Sequence, residues 1–173
     1  MNTIRLERLS EEHTIAMKEE MQEAFQHGFK AYNTEEDSNQ WQVLPSKDFF
    51  LSLEAKGAEA YEAINAEGNR VGGAIIVVNE RKHRGELAFL YVKVGVQSKG
   101  IGQAIWKSIE MLHPEIQIWE TCTPYFDRRN IHFYINRCGF HAVEFFNEHY
   151  PDPNMPEQFD KNDGLFRFEK EMR

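Results

Sequence analysis

Residues 86–102 constrain this chain more than any other stretch. From Glu86 to Val96 the residues Leu87, Phe89, Leu90, Tyr91, Val92, Val94 and Val96 leave few polar positions. Such a run reads as a strand covered on both faces, and therefore as a central one. The strand leads into Gln97-Ser98-Lys99-Gly100-Ile101-Gly102, and then a helix carries Ile101, Ala104, Ile105, Ile109 and Leu112 on one side until Pro114. Glycines at a strand-to-helix turn let backbone N–H groups converge on an anion, and the helix N-terminus adds partial positive charge. A phosphate or pyrophosphate belongs at such a turn.

The elements around this unit follow from periodicity and punctuation. Thr3 to Leu9 alternates as a short strand, and Ser10 then opens a helix to about Phe29 with Ile15, Met17, Met21, Ala24 and Phe25 as its buried stripe. Periodicity stops from Lys30 to Pro45, where the acidic Glu35, Glu36 and Asp37 read as a loop. Ser46 caps a second helix bearing Phe49, Phe50 and Leu53. Ala60 to Ala66 and Arg70 to Val78 form a hairpin around Glu67-Gly68-Asn69. Ile116 to Thr121 is a further buried strand, and Asn130 to Cys138 a helix stopped by Gly139. Phe140 to Phe146 and Leu165 to Glu171 supply the last strands, around a Pro-rich acidic loop. The order predicts an α/β (α+β) fold in one domain over 1–173: a mixed, mostly antiparallel central sheet with helices on both faces.

Composition narrows the function. With 41% hydrophobic and 28% charged residues in 173, the chain can bury a core without disulfide or metal, and disorder is excluded. A formal charge of −8 argues against a nucleic-acid binder and for cationic partners. No apolar run approaches bilayer length, and the charged N-terminus has no signal-peptide core, so no membrane partner and a cytoplasmic location are expected. Cys122 and Cys138 make no disulfide framework, and no His/Cys cluster has zinc-ligand spacing, so no metal is expected. Cys122 reads as a buried small thiol, because no His follows in a triad-like arrangement.

Two nucleotide-binding readings of the glycine turn fail. A P-loop requires GxxxxGK[ST], and no Lys-Ser or Lys-Thr follows Gly102. A dinucleotide fingerprint needs a third glycine where Ile105 stands, although Glu120 falls where a ribose-binding carboxylate would.

The pattern Gln97-x-x-Gly100-x-Gly102, five positions after Val92 in the strand segment Leu90-Tyr91-Val92, resembles the acyl-CoA signature of the GNAT superfamily of N-acetyltransferases. Phe133-Tyr134-Ile135-Asn136-Arg137-Cys138-Gly139-Phe140 is similar to the stretch that family places on its last helix and the following strand. The resemblance covers residues 3 to 172 in element order. It implies acetyl-CoA as co-substrate, a primary amine as acceptor, and direct attack on the thioester in a ternary complex. Backbone amides of Ser98, Lys99, Gly100, Ile101 and Gly102, after Gln97, would hold the pyrophosphate. The strand edge Leu90, Tyr91, Val92 to Val94 would pair with the pantetheine arm.

Tyr134 matches the family tyrosine that protonates the leaving thiolate; it also fits a core aromatic on an amphipathic helix. Many family members carry Asn where Asp127 stands and a small residue where Asn130 stands. Asn130 either replaces the missing amide toward the cofactor or caps the helix. Glu86, six residues before Val92, matches the glutamate base of histone acetyltransferases in the superfamily, and strict alternation puts it on the face of Ala88, Leu90 and Val92. It could equally pair with Arg84. Glu120, at the end of the next parallel strand, is the other candidate base. Glu35-Glu36-Asp37 and the loop carrying Glu148, Asp152, Glu157, Asp160 and Asp163 would frame the acceptor site, which suggests a cationic amine or a peptide amine; a solvated surface is the plainer reading. A silent acyl-CoA sensor is the competing class, and a homodimer through a sheet edge is compatible with the pattern.

Overall fold

A computed structural model describes residues 3–30, 46–96, 100–153 and 164–173, the side chains of residues 29 and 30 excepted. Along the chain run β1 (Ile4–Arg8), a 3-10 turn (Glu11–His13), α1 (Thr14–Lys30), α2 (Ser46–Glu54), β2 (Ala58–Asn65), β3 (Arg70–Asn79), β4 (Arg84–Val92), α3 (Ile101–Leu112), β5 (Ile118–Pro124), α4 (Arg128–His132), β6 (His141–Phe146) and β7 (Leu165–Glu171). The strands form one sheet in the order β1-β2-β3-β4-β5-β7-β6. Every neighbouring pair is antiparallel except β4 and β5, which are parallel and central, as the apolar run requires.

The sheet has helices on both faces, and each face has its own apolar cluster. On one, α3 lays Ile101, Ile105, Trp106 and Ile109 over Val71, Ala74, Ile76, Leu87 and Trp119. Trp106 stands edge-on to Trp119 at 5.2 Å and tilts over Phe140 at 5.2 Å, and fully burying such rings contributes more than about 2 kcal/mol each. On the other face, α1 and α2 bring Met17, Met21, Ala24 and Phe49 onto Ile75 and Tyr91. Ile15, expected in the α1 stripe, is 52% exposed. It lies two residues, hence about 200° of helical rotation, from Met17, which puts it on the solvent side.

Several boundaries differ from expectation, and the larger differences have local reasons. Strand β4 stops at Val92 rather than Val96: the Lys93 N–H bonds the Val71 carbonyl at 2.8 Å and the Val96 N–H returns to the Lys93 carbonyl at 3.3 Å, closing a turn. Val94 therefore lies in that turn, packed against the α1-face cluster, and is not part of the strand edge. Strand β5 begins at Ile118 because Ile116 is buried in the preceding turn, and it runs on to Pro124. The helix expected from Asn130 to Cys138 starts at Arg128, and after His132 it widens into a π turn over Phe133–Arg137, where the Cys138 N–H reaches the Phe133 carbonyl at 3.0 Å. A π turn hides in a sequence whose apolar spacing still reads as helix. No described helix is long and apolar enough to cross a membrane.

Candidate active site

The parallel ladder between β4 and β5 is short. It pairs Arg84 with Ile118, Gly85 with Trp119 and Glu86 with Glu120, and then the strands part. Thr121 marks the fork: its side-chain hydroxyl, buried, donates to the Leu87 carbonyl at 2.8 Å. Beyond it, β4 from Phe89 to Val92 keeps its ladder with β3 but has no β5 partner. Main-chain donors and acceptors left this way inside a fold are an edge to which an extended ligand can pair.

A cavity of about 270 Å³ fills the fork. Its walls are β4 from Ala88 to Val92, Cys122 to Pro124 of β5, the α4 region from Phe126 to Tyr134, and Ala24, Phe25 and Gly28 of α1. Leu90, Val92, Phe133 and Tyr134 belong to the α3-side core, whereas Ala24, Phe25, Ala88 and Phe89 belong to the α1-side cluster. The cavity is thus lined by residues of both faces of the sheet.

A bulge sets which β4 residue faces which side. Ile75 pairs with Phe89 but Ile76 with Leu87, so Ala88 is an extra residue. Alternation is broken there: Ala88, Phe89 and Tyr91 face α1, while Leu87, Leu90 and Val92 face α3. Glu86 is accordingly not on the face of Leu90 and Val92, as strict alternation had it. Tyr91 contributes only backbone to the fork, since its side chain is 2% exposed under α1 and its hydroxyl donates to Glu20 at 2.8 Å.

Tyr134 sits in the π turn at 6% exposure, its ring against Phe133, Phe140 and Phe168 at 5.4, 5.7 and 6.1 Å. It is both a core aromatic and part of the cavity wall. Burial raises its pKa, with the neighbouring Cys138, Asp127 and Cys122 adding to the rise and the Thr121 hydroxyl opposing it, so the phenol stays protonated at neutral pH. Asp127, not Asn130, caps α4: its carboxylate accepts the Asn130 N–H at 3.0 Å. The Asn130 side chain is left for the cavity, whose wall it joins.

Glu86 and Glu120 are directly opposed across the parallel pair at the closed end of the fork, beyond the residues that line it. Water reaches the Glu86 side chain, yet the surrounding protein still desolvates the carboxylate. That desolvation raises its pKa, and Glu120 and Asp152 push it further. The expected ion pair with Arg84 does not form: the Arg84 guanidinium donates to Glu169 at 2.6 Å and to Glu120 at 3.3 Å. Glu120 also meets Arg167 at 3.4 Å. Cys122 is exposed rather than buried, on the cavity wall, and its thiol is pushed up to about 12 by partial desolvation and by Glu86, Glu120 and Asp152. It is a neutral thiol, unfit as a nucleophile.

At the other end, α3 begins after Gly100, which is left-handed (φ 96°). A Cβ on Gly102 would come within 3.1 Å of the Phe133 ring and 3.6 Å of Val92, so this glycine lets α3 close against both the β4 edge and α4. Gly100, the N-cap of α3, has no side chain to bond the first N–H groups of the helix, and such groups can receive an anion. Gln97, Ser98 and Lys99 lie outside the described residues, as do Glu35, Glu36, Asp37, Glu157, Asp160 and Asp163. Among the described residues no cluster of His, Cys, Asp or Glu is placed to hold a metal ion.

Sequence reasoning missed the α1 wall, Cys122, Thr123, Phe126 and Arg129. Gly28, on the α1 face that carries Met17, Met21 and Ala24, was the available signal that something packs closely there.

A sheet that forks beside a glycine turn defines an acyl-CoA transferase class of fold. Residues 14–140 match the model of the acetyltransferase (GNAT) family, and the chain belongs to that family. It is 38% identical over 175 residues to the uncharacterized protein YrkN of Bacillus subtilis strain 168, covering 97% of this chain and 93% of that one. The fold is shared with a Bacillus subtilis acetyltransferase solved with CoA (TM-score 0.66, 17% identity, all of both chains). It is shared too with the PaiA N-acetyltransferase of Thermoplasma acidophilum, solved with coenzyme A (TM-score 0.65, 18% identity, 98% and 99% covered).

Proposed function

We propose that the protein transfers the acetyl group of acetyl-CoA to a primary amine by direct attack within a ternary complex. The cavity in the forked sheet carries this reading. Its α3 side offers the β4 edge that β5 leaves unpaired and the glycine-led N-terminus of α3, which suit a pantetheine arm and its pyrophosphate. Both structural relatives named above were solved with CoA. The α1 side offers Ala24, Phe25, Phe89 and Phe126 as an apolar approach, with Glu86, Glu120 and Asp152 around Cys122 at its inner end. That combination suits an amine that arrives as a cation and reacts after losing a proton.

In the reaction, the neutral amine nitrogen bonds to the thioester carbon and the carbonyl oxygen becomes an oxyanion held by a β4 backbone N–H. The C–S bond then breaks, the thiolate takes the Tyr134 phenolic proton, and the second proton of the attacking nitrogen passes through water to the Tyr134 phenolate, giving CoA and the amide with Tyr134 restored. Glu86 receives the proton shed by the ammonium, through water, since its raised pKa brings it closer to the working pH than an ordinary carboxylate. Glu120, held by two arginines, acts by its charge, which raises the pKa of Glu86, rather than by taking the proton itself.

Thiol release from acetyl-CoA across a panel of polyamines, amino sugars and peptides tests the proposal. Turnover with one class of acceptor is expected, with kcat reduced on the order of 10²-fold in Tyr134→Phe. CoA binding without turnover on any acceptor would overturn it in favour of an acyl-CoA sensor.

A further inference from the structure

Thr123 is 1% exposed, its hydroxyl has no hydrogen-bond partner among the described residues, and it lines the cavity. Thr121, two residues earlier on the same face of β5, has spent its hydroxyl hydrogen on Leu87. The two threonines oppose Phe168 and Phe166 on β7, both in or against the α3-side core, so Thr123 stands on the side of Tyr134, not on the side of Cys122 and Phe25. A buried hydroxyl left unpaired lowers stability, and folded chains tolerate few of them. One that forms the wall of a cavity is satisfied when the cavity is filled.

The position selects the partner. Strand residues advance about 3.3 Å each, so Thr123 lies about 7 Å outward from Thr121 along the opening fork. Thr121 and the Tyr134 phenol mark the inner end, where the proposed reaction puts the sulfur. The acyl-CoA arm leaves the sulfur by two methylenes, and the next group along it is a secondary amide. We infer that the Thr123 hydroxyl is the side-chain hydrogen-bond partner of that first pantetheine amide, on the strand opposite the β4 edge, so that the arm is gripped from both sides of the fork. The inference rests on the acetyl-CoA reading and adds to it a binding residue that acts through its side chain.

Thr123→Val keeps the shape and removes the hydroxyl; Thr123→Ser keeps the hydroxyl. Calorimetric titration with CoA, and separately with adenosine 3′,5′-bisphosphate, which lacks the arm, separates the contributions. The expected result is a Kd for CoA raised about tenfold in Thr123→Val and held within about threefold in Thr123→Ser. The bisphosphate should bind all three proteins alike, and the melting temperature of ligand-free Thr123→Val should equal or exceed that of the wild type. An unchanged CoA affinity in Thr123→Val, with wild type binding CoA, overturns the inference alone. A fall in the ligand-free melting temperature of Thr123→Val also overturns it, because the hydroxyl would then already be bonded within the protein. Failure of the wild type to bind CoA overturns this inference together with the reading it rests on.

Discussion

Glu86 shows how one side chain can set activity and stability against each other. Desolvation and the carboxylates of Glu120 and Asp152 raise its pKa in the fold, so the folded state favours the protonated form. For an acid raised in this way, the stabilising contribution is complete below the unfolded value and is lost as pH rises through the folded one. Above that, the ionised carboxylate works against the fold. Glu86→Gln, which cannot ionise, should therefore melt above the wild type at pH 8, and the gap should close as pH falls toward 4.5, the ordinary carboxylate value. The same variant should lose on the order of 10²-fold in kcat/KM if Glu86 is the base. Melting curves and initial rates on one set of pH points test both; a variant that melts below the wild type at pH 8 would contradict the electrostatic account. The position of Glu86 at the start of a strand was legible in the sequence. Its face was not, because the bulge at Ala88 sits inside an apolar run where no turn residue announces it.

Among the elements, α4 is the one whose sequence reads most differently from its structure. The motif from Phe133 to Phe140 was recognisable, and Gly139 does take the left-handed conformation (φ 86°) that ends it. The start was misplaced because Asn130 is as good a capping residue by type as Asp127, and only the hydrogen bond to the Asn130 N–H separates them. Asp127 is also desolvated on the cavity wall, and this raises its pKa despite the cap bond and Arg129. An amide at this position would keep the cap without the cost of a buried charge. Asp127→Asn should therefore be neutral or stabilising, whereas Asp127→Ala should cost about 1 kcal/mol through the lost cap. Chemical denaturation of the two variants decides this, and equal losses in both would show that the charge itself is needed. By contrast β6 and β7 were read at their true residues or within one, since Gly139 bounds one and alternation fixes the other.

For the whole molecule, the question is what keeps α1 against the sheet, because Ala24, Phe25 and Gly28 are one wall of the cavity. The apolar contact of Met17, Met21 and Ala24 supplies part of it. The rest is an ionic network that no periodicity argument exposes, since its members are 49 or more residues apart or lie on facing strands. Arg70 of β3 donates to Glu20 of α1 at 2.7 and 2.9 Å and to Glu62 of β2 at 2.7 Å, and its side chain is 19% exposed. Glu20 further accepts from Tyr91 and faces Lys93 at 3.4 Å, and Glu62 meets His13 at 2.9 Å. Desolvation would raise the pKa of Glu20, but the Arg70 and Tyr91 hydrogen bonds and the two cations outweigh it and the net shift is downward. A lowered carboxylate contributes stability that is present above its unfolded pKa and is lost as pH falls through its folded one, so this tie weakens only in acid. Removing its centre leaves the Glu20 and Glu62 carboxylates, 13% and 5% exposed, with Tyr91, Lys93 and His13 as their remaining partners. Arg70→Met should then cost up to about 3 kcal/mol, at or below the low end of what leaving buried charges wholly unpaired costs. The kinetic signature should be one-sided. Under the proposed function α1 lines the acceptor half of the cavity while β4 and the α4 region line the cofactor half, so KM for the amine should rise severalfold while KM for acetyl-CoA stays near the wild-type value. Steady-state kinetics with each substrate varied in turn reads the difference. Equal rises in both constants would mean that α1 serves the whole fork and that the two halves of the cavity are not held independently.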